Sequence, residues 1–361
     1  MTRTLYLTRN GLLEPLGQSQ VMSYLRGLSR DHAITLVTFE KPEDMADSAA
    51  MARAREDCAA HGIDWRPRRF RRRPRLIAPA WSLVQMGAEA LRAARSGRAG
   101  LIHARSYLPA AVAWGVWRVT GVPFIFDMRA LWPEELITAG RLRRGSFIHR
   151  TLERLERICL RDAAGVVSLT EAAVEHLQAR YPNELAGKRI TVIPTCADLD
   201  RFRPPETPPE ARIYGCVGTV LSGWFETDWL AAFFRAVARH DPEARFEVVT
   251  RDDAETVRAR LDPEGALPSL SIFPVPPERV HLDVQRHCAS AMFFTEGTSK
   301  LGSAPTRLGE VLGCGIPVVA NEGVGDVARI LRRYGVGVIA RDASDAAMED
   351  AVRELAALRA E

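Results

Sequence analysis

Twice along this chain, short runs of apolar or β-branched residues alternate with longer amphipathic segments. That rhythm admits few folds other than parallel sheets covered by helices. In the first series, strands are predicted at residues 5–7, 34–39, 100–103, 123–127, 165–170 and 190–194, with helices at 19–30, 47–61, 80–94, 110–120 and 150–163. A second series places strands at 213–218, 245–250, 271–273, 291–294, 317–320 and 337–339, with helices at 228–239 and from 343 onward. Between the two, the Pro- and Glu-rich residues 203–210 read as an interdomain connection. The expected class is therefore α/β, with two Rossmann-like domains, residues 1–200 and 201–361, facing across a cleft. In such sheets ligands bind at the carboxyl ends of strands, so the strand-to-helix loops hold the functional candidates.

Size and composition suit two cores. The 361 residues exceed an ordinary single domain, and 47% of them are hydrophobic. No apolar run approaches the ~20 residues that span a bilayer, and the first residues enter a strand rather than a signal peptide, so a cytoplasmic location is expected. The six cysteines (Cys58, Cys159, Cys196, Cys216, Cys288 and Cys314) are scattered, with no pair at metal-ligand spacing. They read as reduced, mostly packed thiols. A net charge of +4 excludes a general nucleic-acid binder, yet the basic residues cluster: Arg66–Arg75 carries seven arginines in ten positions. It reads either as a solvated loop or as a field that docks on anionic lipid headgroups at the inner membrane face or on a pyrophosphate-linked lipid acceptor. With Phe70 as its only interleaved aromatic, the run gives little support to nucleic-acid binding.

The most informative local stretch is Ser299-Lys-Leu-Gly-Ser-Ala-Pro-Thr-Arg-Leu-Gly-Glu-Val-Leu-Gly-Cys-Gly-Ile-Pro-Val-Val-Ala-Asn321. Pro305 presets a first helical turn, so the amides of Thr306, Arg307 and Leu308 are expected to point outward at the positive end of a helix dipole. Arg307 adds a fixed charge, and Glu310, one turn on, can accept from a diol. This suits a phosphate, and with it a nucleotide-sugar pocket. An ordinary helix start, ended by Gly-Cys-Gly-Ile-Pro, accounts for the same residues locally.

The pattern Ser-x-Pro-Thr-Arg-Leu-x-Glu-x-Leu-x-x-Gly-x-Pro-Val resembles the donor-binding segment of family 4 retaining glycosyltransferases, in which the glutamate holds the nucleotide ribose. The resemblance extends over most of the chain. Gly17, in Asn10–Gln20, would allow a diphosphate to approach the backbone, with Ser19 capping the next helix. Phe126-Asp-Met-Arg-Ala-Leu-Trp-Pro-Glu-Glu135 is similar to the family's Asp-x-Arg-x-x-Trp-x-x-Glu loop. There Asp127 would orient an acceptor hydroxyl and Arg129 would reach the developing phosphate charge; a structural Asp127–Arg129 ion pair is the simpler alternative. His103, ending Leu-Ile-His, is a third catalytic candidate, although a lone histidine is more often packed. Ile193-Pro-Thr-Cys-Ala-Asp-Leu-Asp-Arg-Phe202 is similar to the family's interdomain hinge. After it, Gly218 and Thr219 would offer amides and a hydroxyl to the distal phosphate. Lys300, Ser303, Thr306, Arg307 and Glu310 complete the donor set.

The resemblance implies the GT-B fold, with an N-terminal acceptor domain and a C-terminal nucleotide-sugar donor domain. It also implies retention at the anomeric carbon, and a glycan or lipid-linked glycan as acceptor. No cofactor is expected. No Asp-x-Asp pair stands in a cleft loop, and Asp252-Asp253 reads as a helix start, so no metal is expected either. Three departures stand out. Gly302 replaces the first glutamate of a pair with seven residues between them, no arginine-lysine pair follows the Gly218 loop, and the long crossover helix is short or missing. A non-catalytic sugar-nucleotide-binding homologue and a nucleotide-sugar epimerase using Asp127 with His103 are therefore the competing readings.

Overall fold

A computed structural model describes residues 2–71, 77–207, 212–267 and 269–360. The chain divides into two compact units, Met1–Ile193 and Pro194–Glu361. Each is a parallel α/β sheet, and in each the order of strands reverses at one point.

In the first unit the strands are β1 (Thr2–Leu7), β2 (His32–Glu40), β3 (Asp64–Arg69), β4 (Leu101–Arg105), β5 (Phe124–Asp127), β6 (Gly165–Ser168) and β7 (Ile190–Val192). They lie in the order β3-β2-β1-β4-β5-β6-β7, so the chain switches direction across the sheet between β1 and β4. The register across that switch sets Tyr6 level with His103, and one strand further on sets Arg105 level with Asp127. Beside this sheet, Tyr6, Leu12, Val21, Met22, Leu25, Ile34 and Leu36 pack into one apolar cluster.

Strand β3 was not foreseen. Its sequence, Asp-Trp-Arg-Pro-Arg-Arg, has no apolar alternation, but as the outermost strand it tolerates a proline and wet side chains. The loop reading of the arginine run therefore fails for residues 66–69. Arg68 binds the buried carboxylate of Glu89, and Arg66 lies 2.6 Å from Asp64 and 3.5 Å from Glu89. The run continues through residues 72–76, which lie outside the described residues.

Two helix starts also differ from expectation. The helix after β1 begins at Pro15, not Ser19, and runs as a π-helix over Gly17–Met22 before the α-helix Ser23–Leu28. Ser19 does not cap it; its hydroxyl donates to the Pro15 carbonyl at 2.8 Å. The helix predicted from residue 150 starts at Phe147, because the Ser146 hydroxyl accepts from the His149 amide and caps it. Helices Glu171–Arg180 and Val327–Tyr334 were not predicted.

The second unit holds β8 (Ile213–Val217), β9 (Arg245–Val249), β10 (Leu270–Phe273), β11 (Ala289–Met292), β12 (Val318–Asn321) and β13 (Gly337–Ala340). Their order is β10-β9-β8-β11-β12-β13, with the switch between β8 and β11. Phe233, Phe234, Phe246 and Phe293 are buried in one cluster with Met348, Ala351, Val352 and Leu355 of the last helix, Asp345–Ala360. Each large side chain of that cluster contributes about 1.5–3 kcal/mol by leaving water. Of the expected connection, residues 203–207 form neither helix nor strand, and 208–210 lie outside the described residues. None of the six cysteines is in a disulfide, and only Cys196 is exposed.

Candidate active site

In the first unit, a charged group forms at the strand ends beside the switch point. Asp127 ends β5 almost wholly buried, and the ring nitrogen Nε2 of His103 donates to its Oδ2 at 3.1 Å. His103 is held flat against Tyr6, its neighbour in register, with ring centres 4.4 Å apart. Burial alone would raise the Asp127 carboxyl. The His103 hydrogen bond and the charges of His103, Arg129 and Arg105 outweigh it and hold the group below the usual carboxylate range. Burial, aided by Asp127, pushes the Tyr6 hydroxyl upward, so it remains protonated.

The expected Asp127–Arg129 pair is looser than supposed. Arg129 Nη1 stands 3.6 Å from Asp127 Oδ1, and Arg105 Nη1 stands 3.8 Å from Oδ2. Both arginines hydrogen-bond instead to Gln20 Oε1, at 2.9 Å from Arg105 and 3.1 Å from Arg129, and Arg105 also meets the Tyr6 hydroxyl. Gln20 lies in the π-helical stretch, a feature often found at functional sites. Asp127 is thus hydrogen-bonded by His103 rather than by Arg129. Ser106, next to Arg105, has φ 76° and ψ 173°, a region otherwise kept by glycine, and its amide donates to the Asp127 carbonyl at 2.7 Å.

The Asn10–Gln20 loop is fixed by a residue that sequence reasoning passed over. Glu40, at the end of β2 and fully buried, accepts from the amides of Leu12 (2.8 Å) and Leu13 (3.3 Å) and from the Thr38 hydroxyl (2.5 Å). Burial raises its carboxyl, and those three donors oppose the rise. A methyl at Gly17 would overlap the carbonyl oxygen of Gly11 and crowd Leu12, so the glycine is required by the loop's own packing.

In the second unit the donor candidates converge on the switch between β8 and β11. Gly218 follows β8 with φ 100°, and its amide is already given to the Val249 carbonyl at 2.7 Å. Its contribution is therefore space, which the guanidinium of Arg307 fills. Burial lowers the Arg307 group, the carboxylates of Glu310 and Asp252 oppose the fall, and its buried Nη1 has no hydrogen-bond partner. Glu310, on the same helix (Thr306–Gly313), is raised by burial and opposed by Arg307 and Arg201. Thr306 opens that helix, but the Leu308 amide turns back to the Pro305 carbonyl (3.1 Å) and leaves the expected donor set. The helix is seated through its glycines, since Gly309 packs closely on Ala197 and Gly313 faces the Phe202 carbonyl with no room for a side chain. That contact gives the hinge-like segment 193–202 a definite task.

Lys300 is buried with its Nζ 3.4 Å from the centre of the Trp224 ring, which joins the Gly218 loop to the segment after β11. The Ser303 amide donates to the Lys300 carbonyl (3.0 Å), and Thr219 is exposed at the loop's tip. Asp252 accepts from the amides of Val220 (2.6 Å) and Leu221 (2.9 Å) and so pins this loop, while Asp253 caps the helix Ala254–Leu261 through the Thr256 amide. Gly302 closes the short helix Thr298–Leu301. Tyr6, Gln20, Glu40, Arg105, Trp224 and Asp252 had no local signal; their partners are distant in sequence. Only the strand ends on which Tyr6, Glu40 and Arg105 stand could have drawn attention to them.

Two parallel sheets of seven and six strands, with candidate residues at the switch point of each, define the two-domain fold of the GT-B glycosyltransferases. The family model described as Glycosyltransferase Family 4 matches residues 17–201, just over half of the chain, and the protein belongs to that family. It is a glycosyltransferase. No curated protein matches its sequence. Among solved structures, HepE of Anabaena, in complex with UDP and glucose, is 15% identical with a TM-score of 0.64, over 99% of this chain and 93% of that one. A glycosyltransferase from Rickettsia africae is 11% identical with a TM-score of 0.68, over 99% and 88%. A putative UDP-N-acetylglucosamine 2-epimerase from Listeria monocytogenes is 10% identical with a TM-score of 0.60, over 99% and 88%. At these identities the likeness concerns the fold, which transferases and epimerases share.

Proposed function

We propose that the protein is a retaining, metal-independent glycosyltransferase that moves a sugar from a nucleotide-diphosphate donor to a hydroxyl of a glycan or lipid-linked glycan. The observation that carries this is the packing of Arg307 into the space left by Gly218, with one guanidinium nitrogen unsatisfied and Glu310 one turn away. An arginine so held supports a diphosphate site, and a half-buried carboxylate beside it suits a ribose diol.

In this reading the second unit binds the donor and the first handles the acceptor. As the nucleoside diphosphate departs, negative charge grows where Arg307, Lys300 and the N-terminus of helix Thr306–Gly313 stand. A preorganised donor of this kind typically contributes about 3 kcal/mol to the transition state. Asp127, kept ionised, would orient the acceptor hydroxyl, with His103 fixing the carboxylate. Metal independence is supported by the commitment of Asp252 and Asp253 to backbone amides. Retention rests on family membership. HepE binds UDP and UDP-glucose, which favours a uridine nucleotide as the first donor to try. Among the described residues, contact with an anionic leaflet would fall to Arg69 and Arg71, both exposed, because Arg66 and Arg68 are engaged by acids.

The test is incubation with a panel of labelled nucleotide sugars, comparing wild type with an Arg307→Ala, Glu310→Ala variant. Release of nucleoside diphosphate that the variant loses supports transfer. Sugar interconversion without added acceptor would mark an epimerase, and tight binding without turnover a non-catalytic homologue. A variant that bound donor normally would remove the proposed pocket.

A further inference from the structure

The first unit carries more buried positive charge at its strand ends than its own acids use. Arg105, 4% exposed, and Arg129, largely buried, flank the single carboxylate of Asp127. They share one amide oxygen, that of Gln20. Arg105 Nη1, Arg129 Nε and Asp127 Oδ1 are all buried with no hydrogen-bond partner. Arg9, just after β1, is a third cation in this layer. It leans on the Phe70 ring, its buried Nε is unpartnered, and it has no ion pair among the described residues. Of the other acids in the unit, Glu40 is engaged by the Leu12 and Leu13 amides and Glu14 by Lys41 at 3.2 Å, while Asp44, beside Glu40, keeps one buried oxygen without a partner. A closed structural network would match donors to acceptors, because unsatisfied buried charge is costly. Here two forked cations leave donors open beside one open carboxylate oxygen.

We infer that the acceptor bears an oxyanion, phosphoryl or carboxylate, which Arg105 and Arg129 bind beside the hydroxyl presented to Asp127. The inference rests on the transferase reading and narrows its acceptor to an anionic class. Guanidinium forks match the paired oxygens of such groups, and Asp127 accepts from the neighbouring hydroxyl through Oδ1. Gln20 fixes both forks from the π-helical stretch, so they are aligned before a ligand arrives.

The full chain is titrated by calorimetry with sodium pyrophosphate and, separately, with malonate. Wild type is compared with Arg129→Gln, Asp127→Asn and Arg307→Gln, each checked by thermal melting. Two pyrophosphate events are expected in wild type. Arg307→Gln removes the donor-side event, while Arg129→Gln weakens the other about tenfold. Asp127→Asn acts in the opposite direction and tightens that second event, because the carboxylate no longer competes for the two arginines. A merely structural aspartate would not do this. If Arg129→Gln does not fold, Arg129→Lys, which keeps the charge and loses the fork, takes its place. A response to pyrophosphate alone assigns a phosphoryl acceptor, and to malonate alone a carboxylate. If no event responds to either Arg129 or Asp127 while the Arg307-dependent event persists, the acceptor inference is overturned and the donor site stands. Pyrophosphate and nucleotide binding untouched by Arg307→Gln would instead overturn the donor reading.

Discussion

The guanidinium of Arg307 occupies the volume that any side chain at position 218 would need. The two residues are 89 positions apart in the sequence, yet each makes sense only through the other. With φ at 100°, Gly218 also holds a backbone conformation that other residues resist. Gly218→Ala is therefore expected to cost about 1–3 kcal/mol of stability and to displace Arg307. Thermal melting and a nucleotide titration check both effects; a variant with unchanged donor affinity would separate Arg307 from the donor.

Ser106 is expected to behave in the opposite way. It holds a glycine-like backbone without being glycine, so Ser106→Gly is expected to stabilise the chain by about 1 kcal/mol or more. Denaturant unfolding measures it directly, and a loss of stability would show that the serine side chain is needed where it stands.

Asp127 links stability to acid. Its unfolded value is near 3.8 and its folded value is lower, so the ionised group's contribution is complete above 3.8 and fades as the pH falls through the folded value. The difference in melting temperature between wild type and Asp127→Asn is therefore expected to shrink below about pH 4. A difference that stayed constant from about pH 3 to about pH 6 would contradict the charge assignment.

Glu40 holds a loop, not a ligand. Its replacement by Ala leaves the Leu12 and Leu13 amides without a buried acceptor, at about 1–3 kcal/mol. Limited proteolysis is expected to cut within residues 10–17 of Glu40→Ala first, while nucleotide affinity, a property assigned to the second unit, stays at the wild-type level. Coupled loss of both would point to a wider role.

Trp224 offers an optical probe of the donor site. Lys300 sits on its ring, so Lys300→Met should change the indole emission and weaken donor binding, with the cation–ring contact worth about 1–2 kcal/mol. Emission that ignores both the substitution and added nucleotide would place Trp224 outside the site.

Much of this was legible in the chain because its signals are local. Pro305, Thr306, Arg307 and Glu310 stand within six positions of one another, at the start of one helix, and the apolar runs of 34–39 or 245–250 declare buried strands by composition alone. The remainder depends on partners brought from afar. Arg105 ends a five-residue strand like any basic residue, until the register sets it beside Asp127 and the π-helical stretch adds Gln20. Gly17 and Gly218 stand out in the sequence as places where a ligand could approach the backbone, whereas in the structure the space each leaves is taken by the chain's own atoms. Strand β3 escaped because an edge strand need not alternate.

That edge strand has a consequence of its own. An outermost strand usually exposes a row of amides and carbonyls to any passing chain, and so invites sheets of neighbouring molecules to join. A chain approaching β3 would meet the charges of Arg66, Arg68 and Arg69, and at Pro67 it would find no amide to pair with. The arginines of β3 thus guard the open border of the first sheet and favour a molecule that stays separate at high concentration.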